Sequence, residues 1–453
     1  MGYGSKDGWG RYGPRPARVL ALVALVDAVD RGILPGVLTK VQDDLGFSDT
    51  QMGSLAAALI LAGVVVVLPA GYAADRSNRT RLIAVVLASW GVVSGINALV
   101  RTFWQFLIVR VVLGAGETID NPASQSLLAD YYRPESRGRA FALQRVAPIV
   151  GGSIGIGVGG LVGEQLGWRW AFLIVGLPGS LLALAMWRLP EPTRGESDRA
   201  EGTPPVEAVA TPSYGRSRTK VMLADVRQAM AVRTLRVLMV GSAIAAGALG
   251  GLGFWAVAFY ERHSSLGTGG SASVVAALIG VGAFVGTMMA GRVMDRLAGR
   301  VDGLPLALSG VAELLGGALL MITFLPCPLW FRLPAQTIAT ACIVGGLLPL
   351  SVMIADVVPV ALRGAAYSIT GFFAAVVGAA SPQVIGILAD QFKIEVDGEM
   401  KGDLAKAFLI ATPMLLAGAL VVLRGRKYVA ADIAAAAAAG VSATSGGTEP
   451  VGA

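Results

Sequence analysis

The stretch Arg18–Leu38 reads RVLALVALVDAVDRGILPGVL, and it decides what kind of chain this is. It is long enough to cross a bilayer, which takes about 20 apolar residues. Yet Asp27, Asp30 and Arg31 sit in its middle. An ionisable group at mid-membrane costs roughly 2.5–3.5 kcal/mol on insertion scales. A helix holding three of them needs partners on neighbouring helices and a reason to keep them.

The rest of the chain supplies the neighbours. Its 453 residues are 54% hydrophobic and 15% charged, against about 25% charged in a soluble domain. Mean hydropathy is +0.65. Twelve apolar runs are expected to span, near 18–39, 51–73, 82–101, 104–128, 139–164, 168–189, 235–260, 271–292, 303–325, 330–356, 365–389 and 406–424. The first 17 residues are Gly-rich and basic, without the pattern of a cleavable signal peptide. Basic residues follow the even-numbered runs: Arg76, Arg79 and Arg81, then Arg133, Arg137 and Arg139, then Arg292, Arg296 and Arg300, then Arg363. The acids Asp43, Asp44 and Asp49 follow run 1. The positive-inside rule then places both termini in the cytoplasm of a multi-pass protein of the cell (inner) membrane. The net charge of +7 reads as membrane orientation, not as a nucleic-acid surface. Trp104, Trp168, Trp170 and Trp330 fall near run ends, where interfacial anchors belong. Cys327 and Cys342 make at most one bridge. With one histidine, His263, they offer no metal cluster and no nucleophile–base pair, so no metal, no cofactor and no enzyme is expected.

The expected organisation is an N-terminal segment (1–17), a six-helix bundle (18–190), a linker (191–234), a second six-helix bundle (235–425) and a tail (426–453). The linker opens with a Pro-, Gly- and charge-rich part that reads as disordered. It closes with VMLADVRQAMAV, where Val221, Leu223, Val226 and Met230 keep helical spacing and suit a membrane surface. The tail from Ala430 reads as disordered after a short Ala-rich helical stretch. The halves repeat in parallel. Gly71, Asp75 and Arg76 after run 2 correspond to Gly291, Asp295 and Arg296 after run 8. Arg137-Gly138 corresponds to Arg363-Gly364. The fold class is therefore an all-α membrane protein of two six-helix bundles related by a parallel pseudo-repeat.

Two constellations carry chemistry. Asp27 and Arg31, four apart, share a helix face and can pair, with Asp30 close by. In FLIVRVVLGAGETIDNPASQSLLADYY, Arg110 and Glu117 are seven apart and lie on one stripe, with Asp120 about a turn beyond. An acid in an apolar surround exchanges protons nearer neutral pH. Asp30 and Glu117, with Asp27 and Asp120, are the proton-coupling candidates. Arg31 and Arg110 are the substrate candidates, with Glu117 and, on run 7, Phe254 and Trp255. A static network that only holds helices together is the alternative. The loop residues Gly71, Asp75, Arg76, Arg79, Arg137, Asp295 and Arg296 suit a latch that holds helix ends in one conformation. Simple positive-inside anchoring is the other reading. Runs 7 to 12 hold one clearly internal acid, Glu313. A charged wall facing an apolar wall suits an amphipathic solute. Gly151, Gly155 and Gly159 form a small-xxx-small ladder for close helix packing. Pro148 before Gly151-Gly152 also resembles an antiporter signature, with Ala147 where that signature has Gly.

At these residues the chain resembles the Spinster family of the major facilitator superfamily, the sphingolipid and lysophospholipid transporters. The matches are Asp30-Arg31 with Gly36-Val37-Leu38, Phe47-Ser48-Asp49 with Gly53, and Gly71, Asp75, Arg76, Asn78 and Arg79. Arg110, Gly114, Gly116, Glu117 and Pro122 follow, then Gly167-Trp168-Arg169, Glu191-Pro192 with Arg194-Gly195, and Ser381-Pro382 with Gly386 and Asp390. Asp27 and Asp120 are extra acids, and Pro35 stands where the family has a small residue. The resemblance implies a proton-coupled lipid carrier, working as a monomer by alternating access, with Asp30 and Glu117 as protonation sites. A drug or metabolite antiporter using the same acids is the runner-up.

Overall fold

The computed structural model describes residues 9, 11–194, 196–198, 225–297, 303–359, 362–396 and 398–445. Among the described residues twelve long helices follow one another: α1 (Arg15–Leu45), α2 (Asp49–Arg76), α3 (Arg79–Ile96), α4 (Phe103–Tyr131), α5 (Pro134–Gln165), α6 (Trp168–Trp187), α7 (Arg233–His263), α8 (Gly267–Leu297), α9 (Leu304–Phe324), α10 (Leu329–Val357), α11 (Arg363–Gln391) and α12 (Leu404–Ser445). Ten of them are long and apolar enough to cross a membrane by length and composition. The two outside that set are α1 and α4, the helices interrupted by Asp27, Asp30, Arg31, Arg110, Glu117 and Asp120.

Local chemistry ends and starts the helices. Gly46 takes φ +68° and its N–H bonds to the Gln42 carbonyl, which closes α1. Asn78 caps α3 by accepting from the Arg81 N–H, and Thr102 caps α4 by accepting from the Gln105 N–H. Small residues set how closely helices approach. A Cβ built on Gly155 of α5 would lie 2.1 Å from the Val29 carbonyl oxygen of α1. One built on Gly32 of α1 would lie 2.6 Å from the Gly152 oxygen. The ladder Gly151, Gly155, Gly159 is thus the surface on which α1 packs, backbone against backbone. Gly114 of α4 does the same against Leu59 of α2.

The chain forms two compact units, one of Met1–Pro205, Gly251–Gly280 and Pro382–Leu404, the other of Val206–Gly250, Val281–Ser381 and Ala405–Ala453. The first has a core of Leu20, Val23, Ile83, Leu87, Leu127 and Met186, on which Trp9 and Tyr12 pack. The second has a core of Leu235, Leu238, Leu306, Met353, Ile354 and Val422.

Three details depart from the expectation, and the amphipathic stretch of the linker is described only in part. The opening of the linker is held in place, because its polar groups have partners: Glu191 binds Arg79 and the Thr80 N–H, and Glu196 binds Arg11 and Tyr12. Val221 and Leu223 lie outside the described residues, and 225–229 form a short helical turn. The last helix continues to Ser445, because the run of alanines from Ala434 to Ala439 favours helix strongly enough to carry it past Gly440. A two-stranded hairpin, β1 (Lys393–Val396) and β2 (Glu399–Gly402), interrupts the all-helical plan between α11 and α12. Gly398, just before the second strand, takes φ +81°, a conformation that favours glycine. Both cysteines are free.

Candidate functional site

Three helices of the first unit place the charged groups. Successive residues on α1 turn by about 100°, so Asp27 and Arg31 share a stripe while Asp30 points elsewhere. Arg31 pairs with Asp27 along the helix, and its Nε lies 3.5 Å from a carboxylate oxygen of Glu117 on α4. The Arg31 side chain is 50% exposed, whereas that of Glu117 is 6% exposed. Asp30 is fully buried and accepts a hydrogen bond from the Ser94 hydroxyl of α3. Its second oxygen has no partner, and neither does the Oε1 of Glu117. Asp120, one turn on, is buried beside Glu117.

Arg110 differs from Arg31. It is 1% exposed, and its Nε and one terminal nitrogen have no hydrogen-bond partner. The guanidinium lies beside two aromatic rings, 5.2 Å from the Phe106 centroid and 5.4 Å from that of Phe172. Such cation–π contact favours the cation but leaves those two nitrogens unspent. Asp30 and Glu117 act on it electrostatically without a direct contact. The site therefore holds one arginine engaged directly by two carboxylates and one that has two rings beside it and feels the carboxylates only at a distance.

The other expected residues fall elsewhere. Phe254 and Trp255 are buried on α7; Trp255 donates its Nε1–H to the Pro382 carbonyl at 2.8 Å. Neither is among the described contacts of the charged group. Arg79 is buried and engages Asp130 at 2.5 Å and Glu191 at 2.8 Å. Arg137 donates to the carbonyls of Ala129 and Tyr132 and to the Ser197 hydroxyl. Asp295 and Arg296 are exposed near the end of α8. The side chains of Gly71, Asp75 and Arg76 lie outside the described residues.

A second polar cluster was given no role from the sequence. Arg262 of α7 grips both oxygens of Asp49 at 2.8 and 2.7 Å, and also bonds Gln42 and the Gly402 carbonyl of the hairpin. The two side chains are 1% and 2% exposed. Asp390 accepts from the Thr50 N–H and hydroxyl, and Lys401 pairs with Asp43. Gly386 allows α11 to meet the Asp49 carbonyl, and Gly53 allows α2 to meet that of Pro382. The motifs Phe47-Ser48-Asp49 and Ser381-Pro382…Asp390 had marked both sides of this contact. Nearby, Asp44 is held below the usual carboxylate range by hydrogen bonds from Arg169 and Trp168.

The profile described as the Major Facilitator Superfamily matches residues 20–382. Protein spinster homolog 1 of Rattus norvegicus is 28% identical over 248 residues, covering 54% of this chain and 45% of that one. The chain thus spans less than half the length of that relative. An MFS-type efflux pump of Mycolicibacterium smegmatis is 26% identical over 424 residues, covering 90% and 92%. The crystal structure of a bacterial homolog to the human lysosomal transporter Spinster, inward-facing and unoccupied, superposes with TM-score 0.76 at 23% identity, covering 95% of this chain and 98% of that one.

Proposed function

The chain belongs to the major facilitator superfamily, and from that premise we propose that it carries an amphipathic lipid, lysophospholipid- or sphingolipid-like, coupled to protons by alternating access. It is a multi-pass membrane transporter, not an enzyme. In this reading it works as a monomer in the cell (inner) membrane with both termini in the cytoplasm.

The observation that supports it is Arg110, a buried cation whose Nε and one terminal nitrogen have no acceptor. An arginine stays charged when buried, and its planar donors suit a phosphate. Asp30 and Glu117 each keep one unmet oxygen in the same unit. A proton on Glu117 loosens its hold on Arg31, and a proton on Asp30 removes the negative charge that balances Arg110. The headgroup phosphate then takes the place of the lost carboxylate charge. Proton and substrate are linked through shared charge, without a relay over distance. The acyl chain lies against apolar helix surface, including that around Phe254 and Trp255.

Reconstitution into liposomes with labelled lysolipids and an imposed pH gradient tests this. Asp30→Asn and Glu117→Gln are expected to elute as folded protein and to lose gradient-driven transport. A wild-type response in both variants places the coupling acid elsewhere. Gradient-driven efflux of hydrophobic drugs without lysolipid movement favours a drug antiporter, the reading that the efflux-pump likeness supports.

A further inference from the structure

Away from the charged group, the second unit holds a cleft of about 540 Å³ lined by Arg233, Lys427, Tyr428, Ala431 and Asp432. Two cations meet there on one aromatic ring. The Arg233 guanidinium is 5.7 Å from the Tyr428 centroid, and the Lys427 ammonium is 4.9 Å from it. Neither cation makes an ion pair with an acid among the described residues. The one acid in the lining, Asp432, accepts from the Thr234 N–H at 2.7 Å, so it caps the start of α7. That carboxylate is thereby spent on the Thr234 N–H, and what the lining side chains offer an anion is the cation pair.

The depth of the cleft selects the ligand. Arg233 is the first residue of the apolar helix α7. Lys427 lies 23 residues beyond Leu404, the start of α12, or about 34 Å along the helix. The hydrocarbon core is about 30 Å thick, so both cations stand at the membrane–water boundary, where a tyrosine also sits well. We propose that this cleft holds the phosphate of an anionic phospholipid headgroup from the surrounding bilayer, with the acyl chains along α7 and α12. Basic pockets at helix ends suit such headgroups.

Binding of short-chain phosphatidylglycerol, of phosphatidylcholine of equal chain length and of inorganic phosphate to the purified full chain in detergent tests this, read by thermophoresis. Phosphatidylglycerol is expected to bind more tightly than phosphatidylcholine. Each surface cation contributes about a fivefold preference, so the Arg233→Gln/Lys427→Gln double variant is expected to bind it about thirty-fold more weakly. Arg233→Lys/Lys427→Arg, which keeps both charges, is expected to retain binding. Equal binding of the two lipids, or an unchanged double variant, overturns the proposal. Inorganic phosphate binding as tightly as phosphatidylglycerol also overturns it, since the ligand is then a free anion. The charged group of α1 and α4 is untouched by these variants, so the result is independent of the transport assay.

Discussion

Arg110 and Arg31 are the same residue type in one site, yet they have different surroundings. Arg31 has two carboxylates and half its side chain in the open; Arg110 has two rings and a closed surround. Arg110→Lys separates charge from shape. The ammonium keeps the charge but cannot present two parallel donors. A hydrogen bond to a charged group contributes about 1.5–3 kcal/mol, so a phosphate-bearing lysolipid is expected to bind roughly 10- to 100-fold more weakly. A neutral analogue is expected to bind unchanged, by tryptophan-fluorescence titration. Equal loss for both ligands shows that Arg110 serves packing alone. The residue types of this site were legible in the sequence, since a charge inside an apolar run is conspicuous. The division of labour was not. Helical spacing puts Asp27 beside Arg31 and Phe106 beside Arg110, but only the neighbouring helices decide that Asp30 meets Ser94 and that Arg110 also meets Phe172. Acids at the loops are poor coupling candidates by comparison: Asp44, held low by Arg169 and Trp168, releases its proton well below neutral pH.

At the scale of elements, the glycines of α5 set the position of α1 and hence of its three charges. Gly155 faces the Val29 backbone, with 2.1 Å to the carbonyl oxygen from a built Cβ. Gly152, on the same helix, has nothing within 4 Å of such a carbon. Gly155→Ala forces two backbones apart and is expected to cost about 1–3 kcal/mol, seen as a lower midpoint in thermal unfolding in detergent. Gly152→Ala is expected to leave the midpoint unchanged. A similar drop for both assigns the effect to helix α5 itself and not to its packing on α1. The ladder was visible as a pattern, but the sequence left packing and an antiporter signature both open. Contact with Gly32, Val29 and Ile33 supplies the packing. The boundaries of the helices were less legible. Hydropathy stops where polar residues begin, whereas α1 runs on to Leu45 and α12 to Ser445 because backbone hydrogen bonding continues past the apolar surface.

At the scale of the whole molecule, the twelve runs and their repeat were plain from composition, and the hairpin with its lock was not. Gly398 takes the positive φ of a turn, yet nothing local shows that Gly402 will offer its carbonyl to Arg262, 140 residues earlier in the chain. Arg262 comes from the second half of the sequence and Asp49 from the first. In the proposed alternating-access cycle the halves part and rejoin, and in that reading the pair is proposed to stabilise one state of the cycle. Removing one member of a buried pair leaves an uncompensated charge and costs about 3–5 kcal/mol. Carrying a two-state population from 1:99 to 99:1 takes about 5.5 kcal/mol, so Arg262→Gln is expected to shift the protein strongly toward the unlocked state. Thr39, whose hydroxyl bonds Glu261 beside this cluster, is a place to watch the shift. In a background with Cys327 and Cys342 replaced by alanine, Thr39→Cys is expected to react slowly with a membrane-impermeant maleimide and much faster once Arg262→Gln is added. Adding Asp49→Asn as well removes the stranded acid and is expected to bring the rate part of the way back. A labelling rate that ignores Arg262→Gln shows that the pair stays together throughout the cycle, as a fixed brace between α7 and α2.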